Sequence, residues 1–230
     1  MARFSDGPQH VRRRALLEQL LPGVSGLHAA ASRQTTAWTQ DQVGSWDVMS
    51  LARSVPALAG AVGVPAAQVP RVAELVGRLS DALAPSLAPP PSQADGDQAA
   101  EELTALLAPL GAHDPEQVAA VAGLLFQARD ATAALIGAAL LDRGHTTGPR
   151  AEPGPEAAPD LGGEAEASVD RVLRQAAPVQ CTRRTPSEDL QLGGVTVPRA
   201  APVWLVLAEA ERGGFGPATF GAGPHACPGA

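Results

Sequence analysis

The stretch from Asp114 to Gly144 limits what this chain can fold into more than any other part of it. Asp114-Pro115-Glu116-Gln117 reads as a helix start, with an aspartate N-cap, a proline in the first turn and a glutamine at the third position. Gly144 follows the last leucines as a stop. The helix between them, about 29 residues long, spans roughly 43 Å at about 1.5 Å per residue, the width of a whole domain. Apolar residues lie nearly all round it, so it is expected to run through the interior. Gln127, Arg129 and Asp130 interrupt the apolar surface, which argues against a membrane anchor.

The rest of the chain reads as further helices followed by a little sheet. Residues 6–21 form a helix, capped by Asp6 or Gly7, with Pro8 in its first turn, an apolar stripe of Leu16, Leu17, Leu20 and Leu21, and Pro22-Gly23 as its end. Between Asp47 and Leu83 two or three helical stretches are punctuated by Pro56, Pro65 and Pro70. Residues 84–98 and 146–167 are rich in Pro, Gly, Ala, Ser or acidic residues and read as flexible connections. A short helix near Val169–Ala176 comes next, then Leu190–Val197, two alternating runs about Gly193-Gly194 that read as a β-hairpin. Val203–Leu207 suits a strand or a helix. There is no internal repeat. The expected class is mainly α, and a single domain over residues 1–230 is expected.

An apolar fraction of 45% in 230 residues is enough for a buried core. Every basic residue apart from histidine is arginine, and Ala, Gly and Pro are in excess, a composition of GC-rich coding that weakens alanine as a helix signal. The net charge of −7 excludes a general nucleic-acid binder, although Arg12-Arg13-Arg14 forms a local basic cluster. Cys181 and Cys227 are too few for a disulfide framework, and Met1–Asp6 holds no apolar run. A soluble cytoplasmic protein is expected.

Three groups of residues carry possible chemistry. His10 and Arg14, four apart, project from one helix face and suit one anionic group; a solvated basic face is the plain alternative. Gln127, Arg129, Asp130 and Thr132 place polar groups in an apolar helix, where they face a cavity or form an internal ion pair. Phe220-Gly221-Ala222-Gly223-Pro224-His225-Ala226-Cys227-Pro228-Gly229 suits a side-chain-poor loop whose backbone approaches a flat cofactor while one sulfur reaches a metal.

This last run resembles the haem-binding loop of the cytochromes P-450, and four other segments resemble that family in its own order. Asp6-Gly7-Pro8-Gln9-His10-Val11-Arg12-Arg13-Arg14 is similar to its propionate-binding helix, and Ala128–Thr132 to its oxygen-activating helix, with Ala131 where a threonine is usual. Val172-Leu173-Arg174 resembles the end of its E-x-x-R helix, with Arg171 in place of the glutamate. Arg184 and Glu188-Asp189-Leu190-Gln191-Leu192-Gly193-Gly194-Val195-Thr196-Val197-Pro198 resemble its R-x-x-x-E-D-x-x-L-G-G hairpin, with Ala200 replacing a glycine.

The resemblance implies an incomplete P-450 fold, lacking the N-terminal sheet region, the meander before the cysteine loop and everything after that loop. It implies haem b as cofactor, with Cys227 as iron ligand. His10, Arg14, Arg184 and His225 would lie at the propionates, with Phe220 and Gly221 against the macrocycle, and Asp130 and Thr132 would manage protons. The implied activity is O₂-dependent oxidation of a small organic substrate, with electrons from a ferredoxin- or flavodoxin-type donor docking near Arg12 and Arg13. The alternative is a degenerate or truncated P-450-like protein without stable haem, non-catalytic or serving as a binding partner.

Overall fold

In the computed structural model the described residues are 5–24, 54–83, 93–111, 113–147, 161–175, 179–213 and 218–228. They are mainly helical: α1 Gly7–Val24, α2 Ser54–Ala61, α3 Val69–Leu83, α4 Gln93–Leu107, α5 Pro115–Thr147, α6 Leu161–Gln175 and α7 Leu207–Arg212. Four short strands, β1 Cys181–Arg184, β2 Leu190–Leu192, β3 Val195–Val197 and β4 Val203–Val206, make two antiparallel ribbons, β1 with β4 and β2 with β3. The chain divides into two compact units, Met1–Ala134 with Pro228–Ala230, and Leu135–Cys227.

The first unit is held by one apolar core. Val72, Leu75 and Val76 of α3 meet Ala99, Leu103 and Leu107 of α4, Val118, Val121 and Leu125 of α5, and Val55, Leu58 and Ala59 of α2. Each set recurs at three- and four-residue intervals, which stacks its side chains on one helix face. α2 stops in a Schellman turn: Gly63, at φ +95°, donates to the Gly60 carbonyl, and Val64 donates back to Ala59. That closure turns Val64 into the core. α3 and α4 approach closely at Gly96, where an added Cβ would stand 2.7 Å from the Ala82 Cβ. Arg71 clamps the same pair of helices, its guanidinium donating to both Glu102 carboxylate oxygens at 2.6 and 2.5 Å.

Several sequence expectations change. α4 begins at Gln93, inside the stretch read as a connection, because its stripe is built partly from alanine and its Gly96 serves close packing rather than a turn. Likewise α6 begins at Leu161, so Leu161–Ala167 are helical rather than linking. α1 continues to Val24, past Pro22; a proline in the last turn forfeits a single backbone bond. The start of the stretch read as helical from Asp47, and residues 84–92 and 148–160 of the connections, lie outside the described residues.

The long helix starts as read, with the Glu116 N–H donating to Asp114 Oδ1 at 2.9 Å, but it runs on through Gly144 to Thr147. It is not buried all round. Val118, Val121, Leu125, Ala133 and Ala139 form its buried side, while Ala119, Ala131 and Ala134 are exposed. Pro115–Ala139 is long and apolar enough to cross a bilayer by length and composition alone. On that stretch Val118, Val121 and Leu125 pack with α3 and α4 residues in the core of the first unit.

In the second unit Arg171 of α6 hydrogen-bonds Asp142 of α5, and Val172 and Ser168 are buried. The β2–β3 hairpin turns at Gly193 and Gly194, φ +54° and +84°, the two left-handed positions of a type I′ turn. Val203–Leu207 resolves into both readings: Val203–Val206 is a strand paired with Cys181–Arg184, and α7 starts at Leu207. Ala200 sits at φ +63°, a left-handed conformation that costs a Cβ-bearing residue about 1 kcal/mol or more.

Two stability tests follow from this packing. Leu75→Ala removes a fully buried side chain from the centre of the first unit and is expected to cost about 2–5 kcal/mol in urea denaturation followed by far-UV circular dichroism. Ala200→Gly relieves the left-handed strain by removing a single methyl group, and the same measurement should show a gain of about 0.5–1 kcal/mol.

Candidate functional site

The cysteine loop makes its own shape. The Cys227 N–H donates to the Phe220 carbonyl at 2.7 Å, Ala226 N–H to Gly223 at 3.0 Å, and Gly221 N–H to Ala218 at 2.9 Å. Between these ties Gly223–His225 forms one 3₁₀ turn with Pro224 inside it. Gly221 and Gly223 both adopt φ +70°, open only to glycine at low cost. A Cβ built at Gly223 would meet nothing within 4 Å. One face of the loop is therefore bare backbone. Cys227, His225 and Gly221 are exposed and Phe220 is half-buried, so the sulfur is carried outward on a closed, narrow turn.

Arg184, in the same unit, lies on the exposed strand β1 and donates to Thr182 Oγ1 at 2.7 Å and to the Arg183 carbonyl at 2.9 Å. Arg174, 71% exposed, pairs with Asp170 at 3.6 Å one turn away, and Arg171 pairs with Asp142. The two arginines that replace the Glu-x-x-Arg pattern are thus each matched by an aspartate, one of them from α5. The Asp189 carboxylate accepts the Arg199 N–H at 2.8 Å and ties the hairpin to the turn that holds Ala200.

In the first unit His10 and Arg14 stand one turn apart on α1, as the spacing requires. His10 is 6% exposed. Arg14 reaches along its own helix to Glu18, at 2.6 Å, an i, i+4 pair readable in the sequence. Arg12 is held by Glu116 in a bidentate pair, at 2.7 and 2.9 Å, with Arg13 Nε 3.5 Å from the same carboxylate. The basic cluster is therefore partly neutralised by the first turn of α5, where a carboxylate also suits the helix dipole. Hydrogen bonding to Arg12, joined by Arg13, holds the Glu116 carboxyl down at about 2 and raises the Arg12 guanidinium. A shallow depression between α1 and α5 is lined by Leu17, Ala119, Ala120 and Gly123. Its three polar side chains, Arg13, Glu116 and Gln127, are engaged with each other or, for Gln127, with the Gly123 carbonyl.

Asp130 faces α3. The hydroxyl of Ser80, 2% exposed, donates to Asp130 Oδ2 at 2.7 Å, and Arg129 lies 2.8 Å from Oδ1 and 3.5 Å from Asp81. Gly77 leaves room for that arginine, its Cβ position lying 3.7 Å from Arg129 Nη2. The polar interruption of α5 is thus a helix-to-helix ion network, the plainer of the two sequence readings. Thr132, two residues on, is half-buried. Ser80, Glu116 and Asp142, the partners of Asp130, Arg12 and Arg171, carry no local sequence signal, because each pairing joins positions at least 29 residues apart. Among the described residues no three His, Cys, Asp or Glu side chains converge as a metal site.

No protein-family model matches the chain, and no curated protein matches it. Solved structures do. P450BioI, in complex with an acyl carrier protein ligated by hexadec-9Z-enoic acid, superposes with a TM-score of 0.73 at 21% identity, over 100% of this chain and 69% of its own. CYP109E1 from Bacillus megaterium, in complex with testosterone, gives 0.74 at 19% identity, over 100% of this chain and 73% of its own. Both are cytochromes P-450. The chain has a shortened cytochrome P-450 fold. CYP164A2 of Mycobacterium smegmatis agrees, with a TM-score of 0.68 at 25% identity over 99% of this chain and 69% of that one. In this chain the Phe220–Cys227 turn is closed by its own backbone bonds and Cys227 is exposed, whereas Arg14, Arg184 and Asp130 are each engaged by a protein partner.

The Glu116 pairing gives a pH test. Its folded pKa lies below the ordinary carboxylate range, so the stability it contributes is complete above that range and is lost as pH falls towards about 2. In an acid titration followed by circular dichroism, Glu116→Gln should be less stable than the parent near neutrality, and the difference should shrink steadily below the ordinary carboxylate range.

Proposed function

We propose that this chain is a haem-thiolate protein of the monooxygenase type, with Cys227 as the proximal ligand of haem b. The observation that supports this reading is the Phe220–Cys227 turn, whose bare glycine face and outward sulfur suit a flat macrocycle with a thiolate-ligated iron. Bound haem supplies the oxygen chemistry; the chain supplies position and charge. The closed loop holds the sulfur at a fixed reach, and Phe220 and Gly221 present a low-profile surface. His225, His10, Arg14 and Arg184 are the proposed propionate ligands. For Arg14 and Arg184 this means exchanging Glu18, Thr182 and the Arg183 carbonyl for a propionate, a replacement of one charge-assisted contact by another.

Proton handling is the weaker half of the fit. Asp130 is held by Ser80 and Arg129, and Ala131 stands where a threonine hydroxyl is usual, leaving Thr132 as the nearest hydroxyl on α5. These contacts, with the pairing of Arg14 and Arg184 to protein groups, favour a second reading: a degenerate P-450-like protein without stable haem, non-catalytic or acting as a binding partner. On the first reading the substrate is a small organic molecule, as in the neighbours crystallised with a steroid or an acyl chain, the electron donor is of the ferredoxin or flavodoxin type, and the protein works in the cytoplasm. The donor is not expected to rely on Arg12 and Arg13, which are already paired with Glu116.

The test is the reduced carbon monoxide difference spectrum of the chain purified with haem supplied. A thiolate-type Soret band that disappears in Cys227→Ala supports the proposal. Haem-free protein, or a spectrum indifferent to that substitution, overturns it.

A further inference from the structure

The ribbon of β1 and β4 leaves one edge chemically prepared for another strand. Leu207 N–H donates to the Gln180 carbonyl at 2.9 Å, and the register pairs Thr182 with Leu205 and Arg184 with Val203. Antiparallel alternation then turns the backbone groups of Val203 and Leu205 towards β1, and those of Trp204 and Val206 outward. The outward groups have no hydrogen-bond partner among the described residues. β4 is also apolar on both of its faces, with Trp204 64%, Leu205 42% and Val206 52% exposed. An unbroken apolar run is the pattern of a strand covered on both faces, and an isolated two-stranded ribbon is marginal in water.

The two edges of the ribbon differ in charge. On β1 the outward positions are Cys181 and Arg183, with Arg184 beside them, so two copies meeting there would bring like charges onto one short ribbon. Edge β4 carries no charge at all. Two copies of β4 related by a two-fold axis can place Trp204 opposite the partner copy's Val206, and the reverse, with Leu205 facing its own equivalent. This register uses every outward N–H and carbonyl of Trp204 and Val206 and closes on itself as an isologous pair. We infer that β4 is a self-association edge, through which two copies of this chain form a four-stranded antiparallel sheet and a reversible dimer. Nothing in this inference depends on haem.

Sedimentation velocity of the purified chain over a concentration series tests it, with Val206→Pro as the decisive variant. That proline removes an N–H directed away from β1, so the internal ladder is retained while the outer edge is broken. The expected result is a concentration-dependent dimer in the parent and a dissociation constant raised about tenfold or more in Val206→Pro. Trp204→Lys, which changes only a side chain and sets a charge on the edge, should act in the same direction. Arg183→Pro, on the opposite edge, should leave the dimer intact, and far-UV circular dichroism reports whether each variant is folded. A parent that stays monomeric throughout, a dimer indifferent to both β4 variants, or equal loss in folded Arg183→Pro overturns the inference.

Discussion

The packing of α3 against α4 and α5 is the constraint from which most of the first unit follows. Val72 and Val76 sit one turn apart on the buried face of α3, and Ser80 is the next residue on that line. Once the apolar residues meet Leu103, Leu107, Val121 and Leu125, the position of Ser80 is set, and with it the hydrogen bond to Asp130. The same face offers Gly77, whose missing side chain admits Arg129. Apolar burial thus decides which polar groups of α5 find partners, and those partners hold Asp130 against α3.

Charge is arranged in the same subordinate way. With arginine as the sole non-histidine cation, the longer-range pairs use a planar fork: Arg12 to Glu116 and Arg71 to Glu102 are both two-point contacts. These pairs join α1 to α5 and α3 to α4 at the edges of a core already formed by hydrophobic side chains. They fix the register of helix against helix more than they drive association, since both partners retain contact with water.

Much of the fold was legible from local chemistry. The Asp114-Pro115 start, the Gly193-Gly194 turn and the closing glycines of the cysteine loop each announce themselves because a cap, a left-handed residue or a close approach needs a particular residue type at a particular place. What escaped the sequence was decided at a distance. α4 was hidden because alanine fills its buried stripe and Gly96 looks like punctuation until Ala82 is seen against it. β1, Cys-Thr-Arg-Arg, has no apolar alternation and is a strand only because β4 pairs with it. The site divides along the same line: His10, Arg14 and Cys227 stand out by spacing, while Ser80, Glu116 and Asp142 emerge only when separate helices are brought together. Ala200 stands where the resembled pattern has a glycine, and its positive φ gives that replacement a physical meaning.

The cysteine turn is fastened at Phe220 and Cys227 by a backbone hydrogen bond, and its two left-handed positions are both glycine. Such a turn is a self-sufficient shape. Its residues are constrained by their own closure as well as by any cofactor they touch, so the pattern stays readable whatever packs around it. A signature of this kind records the durability of a small piece of geometry, and it is legible in the chain independently of any chemistry.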